Sequence, residues 1–351
     1  MKNIFSPFYK DIGIDLGTTK TLIYIKGKGV VIDEPSVVAV NLKTDQILAI
    51  GHEAEAMVGK TPEHIAAVKP ITNGVISDFE VTEKMLRYFF DRINNKLGAK
   101  ALFSWPRVVI GIPYGGTEVE KRAVEDVVRN AGAREVYLVE NPVAILVGAR
   151  LSINEPRGYL VVDVGGGVTE VALISLNGIV VAKSIRVAGN KLNEDIIHYL
   201  RDEFKLAIGE QTANNLKIQL GSAKDMGTNQ EMVVRGRDLS RGLPKEIKIS
   251  EKEIREAMSE SIQMIIDTIK SVIEMSPPEL VADIMNGNIL LSGGGGMLRG
   301  LDKLIEKETE IPVNLIDDPI TAVVRGTGII LENFSEMKSL LVDLKREQPP
   351  I

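Results

Sequence analysis

Two stretches of this chain superpose on each other. Setting "IGIDLGTTKTLIYI" against "LVVDVGGGVTEVAL" aligns Asp15 with Asp163, Gly17 with Gly165 and Thr21 with Thr169 at one offset (163 − 15 = 165 − 17 = 169 − 21 = 148). A repeat of that length predicts two like domains, each closing its own core, rather than one large one. Each copy reads as an apolar strand, a carboxylate heading a tight glycine turn, and a returning strand. A carboxylate at the end of a buried strand is costly unless it holds something.

The rest of the chain supports a two-domain α/β reading. After the first copy come helical patterns and then "RVVIGIP", Arg107–Pro113, as another strand. In "GTEVEKRAVEDVVRNAGA", Thr117 and Glu120 are spaced as a capping box, Ala123, Val124, Val127, Val128 and Ala131 recur at helical spacing, and Gly132 ends the run. A strand "EVYLVE" and an apolar helix from Pro142 to Leu151 close the first half, and "NEPRG" marks a boundary. The second copy continues to a long helix with Ser250 and Glu253 as capping box and Ile254, Met258, Ile262, Ile265, Ile269 and Ile273 along one stripe. A third glycine turn, "SGGGG", sits between a strand and a helix, and "DDPITAVVRGTGIILE" gives a last apolar helix before a tail expected to fray.

Composition narrows the chemistry. With 44% hydrophobic and 26% charged residues among 351, the chain has enough apolar content for two cores. A formal net charge of −6 without any Lys/Arg block argues against nucleic acid as a partner. The absence of cysteine excludes disulfides and thiolate chemistry, and His52, His64 and His198 lie outside any ligand-spaced cluster. No apolar run reaches the ~18 residues of a membrane span, and "MKNIFSPFYK" lacks the apolar core of a signal peptide.

Glycine after a buried strand lets backbone N–H groups converge into a nest for anionic oxygens, of which phosphate is the commonest. A carboxylate beside phosphate is repelled unless a divalent cation lies between, so Asp15 and Asp163 imply Mg²⁺. Two such turns at equivalent positions of a duplicated unit are suited to clamp one polyphosphate. The third, Gly293, Gly294, Gly295 and Gly296, is then available for an adenosine. Thr18, Thr19 and Thr169 would supply hydroxyl donors and Lys20 a positive charge.

The segments "DIGIDLGTTKT", "ENP", "VVDVGGGVTEVA", "GEQTANNLK", "SGGGGMLRG" and "PITAVVRGTG", in this order, resemble the MreB family of bacterial actins over nearly the whole chain. "GKGVVIDEPSVVAV" and "SPPELVADI" resemble MreB in particular, within a superfamily that also holds sugar kinases and heat-shock chaperones. The resemblance implies an actin-like ATPase fold, two duplicated RNase H-like domains around a nucleotide cleft. Domain I is expected at residues 1–152 plus 332–351 with a small subdomain at about 40–84, and domain II at 153–331 with one at about 190–250. It also implies ATP/ADP and Mg²⁺ as cofactors, head-to-tail self-polymerisation, other MreB paralogues as partners, and a cytoplasmic location on the inner face of the membrane.

Residue by residue the resemblance is uneven. Asp15, Gly17 and Thr18 match the first phosphate turn, but Lys20 stands where Asn is usual and either binds a phosphate or points to solvent. Asp163, Gly165, Gly166 and Gly167 match the second, where Val168 replaces Thr. Lys217 matches the ribose segment, where Asn214 replaces Glu, and Gly296 replaces a common Ser. The acid expected to polarise the attacking water, directly before Pro142, is Asn141. An amide cannot take the water's proton, and in an extended segment the neighbouring Glu140 faces the other way. Asn141 and Val168 together predict binding with slow hydrolysis. Leu102, Phe103 and Trp105 form an apolar loop that, with Phe5 and Phe8, either inserts into the membrane or packs back on the domain. A sugar kinase would need a catalytic carboxylate and sugar-binding residues, and a chaperone a peptide-binding domain; neither set can be placed.

Overall fold

The computed structural model of the chain describes residues 11–97 and 106–342. They divide into two compact units. One holds the residues up to Glu155, Leu176–Gly178 and those from Thr321 on; the other holds Pro156–Ser175 and Ile179–Ile320.

The first unit begins with a meander of β1 (Ile12–Leu16), β2 (Lys20–Ile25) and β3 (Gly29–Pro35). A separate small sheet follows, from β4 (Val38–Asn41), β5 (Gln46–Ile50) and β6 (Ile65–Val68), with the single-turn helix α1 (His52–Glu55) and the hairpin of β7 (Ile71–Thr72) and β8 (Val75–Ile76). Helix α2 (Phe79–Leu97), strand β9 (Arg107–Ile112), helix α3 (Glu118–Asn130), strand β10 (Glu135–Glu140) and helix α4 (Asn141–Gly148) follow. β9 and β10 extend the meander in parallel, giving the order β10-β9-β1-β2-β3. The strands are Val/Ile runs, and Ile14, Ile23, Val108 and Ile110 are fully buried against Leu86 and Phe89 of α2 and Val127 of α3. Each such side chain contributes about 1.5–3 kcal/mol. α3 starts at the expected capping box, with both reciprocal bonds between Thr117 and Glu120 formed.

The second unit repeats the plan. β11 (Tyr159–Val164), β12 (Thr169–Ser175) and β13 (Gly178–Ile185) form the meander, followed by helix α5 (Gly189–Phe204), strand β14 (Leu206–Ala207), helix α6 (Glu210–Leu220), and strands β15 (Glu231–Asp238) and β16 (Pro244–Ser250). Helices α7 (Glu251–Met275) and α8 (Pro278–Asn286), strand β17 (Ile289–Ser292), helix α9 (Leu301–Thr309) and strand β18 (Val313–Leu315) complete it. The order β13-β12-β11-β17-β18 matches the first sheet, three antiparallel strands extended by two parallel ones. Of the stripe expected on α7, Ile254, Met258, Ile262, Ile265 and Ile269 are buried, whereas Ile273 is half-buried and Val272 takes the buried position.

The last helices, α10 (Ala322–Glu332) and α11 (Phe334–Met337), correct the expected domain boundary. A break at residue 331 would leave α10 in the second unit, but it belongs to the first. The reason is packing: a Cβ on Gly326 would collide with the Ala144 carbonyl, and one on Gly148 with the Ala322 carbonyl. Two bare backbones let α4 and α10 cross at close range, a contact no side chain at either position would permit.

Candidate functional site

In the first unit, three parallel strands end at one edge of the sheet. Asp15 on β1 is in register with Gly111 on β9, which is in register with Val139 on β10. Strand ends of this kind are where open α/β sheets present their ligand groups. Gly17 N donates to Lys20 O at 3.0 Å, closing the turn that carries Thr18 and Thr19. Thr18 is buried and its Oγ1 accepts from Gly74 N at 2.8 Å, leaving the hydroxyl proton available; Thr19 is exposed. Lys20 Nζ donates to Asp33 on β3 at 2.8 Å. At the far strand, Glu140 is the N-cap of α4 and Asn141 its first residue, so the pair straddles a strand-to-helix junction rather than an extended segment. Asn141 lies over Gly111, where a Cβ would stand 2.6 Å from its Oδ1.

The second unit carries the same turn. Gly165 N donates to Val168 O at 3.0 Å, and Asp163 faces Glu170 as Asp15 faces Leu22, the same offset of 148 (170 − 22 = 163 − 15). Asp163 is buried, and its carboxyl is pushed up to about 6 by burial, which the Ser292 hydroxyl partly opposes. Ser292 stands opposite it in register on β17. The next residue, Gly293, has φ +82°, and a Cβ there would collide with Val164 O, so the third glycine turn must begin with glycine. Gly294 follows in helical conformation, and Gly295 to Met297 form a 3₁₀ turn in which Gly296 is buried against Leu291. Gly295 stacks directly on Val164, so the two glycine turns of this unit lie against each other.

Helix α5 starts at the Asp163 turn: Gly189 N donates to Gly165 O at 3.1 Å and Asn190 N to Gly166 O at 2.7 Å. Lys217 on α6 donates from Nζ to Gly189 O at 2.7 Å, and burial pulls its ammonium down to about 8. Asn214 lies one turn earlier on the same helix, spaced to share the face of Lys217. Thr169 requires a correction. Instead of offering its hydroxyl to a ligand, as its place in the motif predicts, it is fully buried and Oγ1 donates to Val187 O at 2.6 Å, fixing the segment that leads into α5.

The sequence model of the MreB/Mbl protein family matches residues 9–339. The chain belongs to the MreB/Mbl family. It is 44% identical to the cell shape-determining protein Mbl of Bacillus subtilis (strain 168) over 330 residues, 94% of this chain and 98% of the relative. It is also 44% identical to the cell shape-determining protein MreB of Escherichia coli (strain K12) over 336 residues, covering 95% and 96%. The crystal structure of MreB5 of Spiroplasma citri bound to ADP superposes with TM-score 0.88 at 38% identity, covering 93% of this chain and 98% of that one. The fold is therefore actin-like.

Within this MreB/Mbl frame, sequence reading finds the two turns and misses the residues that brace them: Ser36, whose Oγ donates to Gly17 O at 2.7 Å, in the first, and Ser292, Gly189 and Asn190 in the second. Thr21 and Thr169, aligned by the repeat, are the available signal, since each sits behind its turn. The apolar candidates Phe5, Phe8, Leu102, Phe103 and Trp105 lie outside the described residues. Among the described residues, no helix is long and apolar enough to cross a membrane.

Proposed function

We propose that the chain binds ATP and ADP with Mg²⁺, polymerises head to tail into cytoskeletal filaments at the inner face of the cell membrane, and hydrolyses its nucleotide slowly. The observation that carries this reading is the pair of matching turns, closed by the same bond at the same offset and each headed by an aspartate. The MreB5 structures solved with ADP and with AMPPNP add support from a relative of the same fold.

The residues fit the ligand. Asp163 is a buried carboxyl whose proton affinity is raised by burial, so it favours a cation. Mg²⁺ keeps several of its waters, and Asp15 and Asp163 would hold it through them, offsetting phosphate charge. The turn amides of Thr18, Gly166 and Gly167 receive phosphate oxygens; Lys217 and Asn214 serve the ribose, and the Gly293–Gly296 turn the adenosine. Lys20 already has Asp33 as a partner, which favours its solvent-facing reading over a phosphate contact. An amide such as Asn141 can orient a water but takes no proton from it, and Val168, in the turn of the second unit, offers no hydroxyl.

Sedimentation with ATP, with ADP and without nucleotide, measuring released phosphate in the same sample, tests the reading. Nucleotide-dependent pellet with little phosphate is expected. Phosphate release without pellet marks an enzyme of the same superfamily, and binding without either marks a non-polymerising scaffold. Liposome co-pelleting tests the membrane location: Leu102→Ser with Phe103→Ser is expected to abolish it, and undiminished pelleting contradicts a role for that loop. The cellular use, wall growth or helicity and motility, follows from where the filaments form; other MreB paralogues are candidate co-polymers.

A further inference from the structure

Ser36, directly after β3, is fully buried behind the first turn. Its Oγ donates to Gly17 O at 2.7 Å, and its backbone N donates to Thr19 O at 3.0 Å. Thr21 Oγ1, also fully buried, lies 2.9 Å from Ser36 Oγ. The direction of that bond is fixed by chemistry. The Ser36 proton is spent on a carbonyl, which cannot donate, so Thr21 must donate to Ser36. The result is an ordered relay, Thr21 to Ser36 to the Gly17 carbonyl, in which each bond polarises the next.

The relay fixes which way the turn amides face. In a trans peptide the C=O and the following N–H point in opposite directions. Holding the Gly17 carbonyl toward Ser36 turns the Thr18 N–H away from it, and holding the Thr19 carbonyl there turns the Lys20 N–H away too. We propose that Ser36 is the positioning residue of the first phosphate turn, aiming the Thr18 and Lys20 amides at the polyphosphate of a bound nucleotide. The second unit reaches the same end by other means. There the Gly165 and Gly166 carbonyls are held by the Gly189 and Asn190 amides of α5, and Thr169 fixes the approach to that helix. The first unit has no helix after its third strand, since the chain turns into β4, and a serine hydroxyl does the work of a helix start.

The inference rests on the nucleotide reading above, and the test separates the two. Calorimetric titration with Mg-ATP, Mg-ADP and AMP is run on the full chain, on Ser36→Ala and on the isosteric Thr21→Val. Ser36→Ala is expected to weaken ATP and ADP about tenfold to a hundredfold, with AMP much less affected, because only the longer phosphate chains depend on this turn. Thr21→Val is expected to shift the same ratio by less, since the Ser36 hydroxyl remains. In the nucleotide-free protein, amide hydrogen exchange across Gly17–Lys20 is expected to speed up in Ser36→Ala. An unchanged ATP-to-AMP ratio, or equal loss of both, overturns the assignment of Ser36. No binding by the unaltered chain overturns the nucleotide reading itself.

Discussion

Asp163→Asn is expected to abolish Mg²⁺-dependent nucleotide binding while making the nucleotide-free protein more stable. The two effects share one cause. Burial raises the pKa of Asp163 in the fold from the ordinary 3.8 to about 6, so at neutral pH the fold carries an ionised carboxylate it would rather protonate. A rise of that size corresponds to about 3 kcal/mol, and the amide removes that cost while keeping the shape. The sign follows from linkage: because the folded pKa is raised, the native state binds more protons than the unfolded chain between about pH 4 and 6 and loses stability as pH rises through that window. The advantage of the variant is therefore expected to be full above about pH 7 and to close toward about pH 4. Thermal melts without nucleotide across this range, paired with calorimetry, check it. A variant less stable at neutral pH, or one that still binds Mg-ATP, contradicts the assignment.

Asn141→Glu combined with Val168→Thr is expected to raise steady-state phosphate release by roughly 10²- to 10⁴-fold, the usual worth of a positioned general base. Asn141 begins α4 directly after Glu140 caps it, so the side chain at position 141 is held by the helix start rather than by a loop. The Asn141 Oδ1 already lies over Gly111, beside Val323, so the longer glutamate must direct its carboxylate away from that strand. Nucleotide affinity should change little, because neither substitution removes a residue proposed to hold the phosphates or the adenosine. If phosphate release in the double variant equals that of the unaltered chain, slow turnover has another origin, or Glu140 already acts as the base.

The parts of the site that could be read from sequence are those whose geometry is local. Asp15 and Asp163 sit at turns closed by bonds between residues three apart, Gly17 to Lys20 and Gly165 to Val168, so the linear pattern carries the structure. Both capping boxes are likewise set within four residues. The braces behind the turns are not local. Thr169 and Thr21 occupy equivalent positions, yet one donates to a backbone carbonyl at Val187 and the other to a hydroxyl at Ser36; the repeat shows that both are needed and cannot show what each holds. The placement of α10 depends on Gly148 and Gly326, far apart in the chain and informative only once α4 and α10 cross. The Lys20 partner, Asp33, becomes visible only when β2 pairs with β3.

The claim on which the rest depends is that both aspartate-headed turns serve a single magnesium nucleotide. Calorimetric titration of Mg-ATP into the unaltered chain measures this directly, since heat gives affinity and stoichiometry together. One nucleotide per chain, lost in Asp15→Asn and in Asp163→Asn alike, is the predicted result. Absence of heat, or two nucleotides per chain with each variant losing only one, would contradict it.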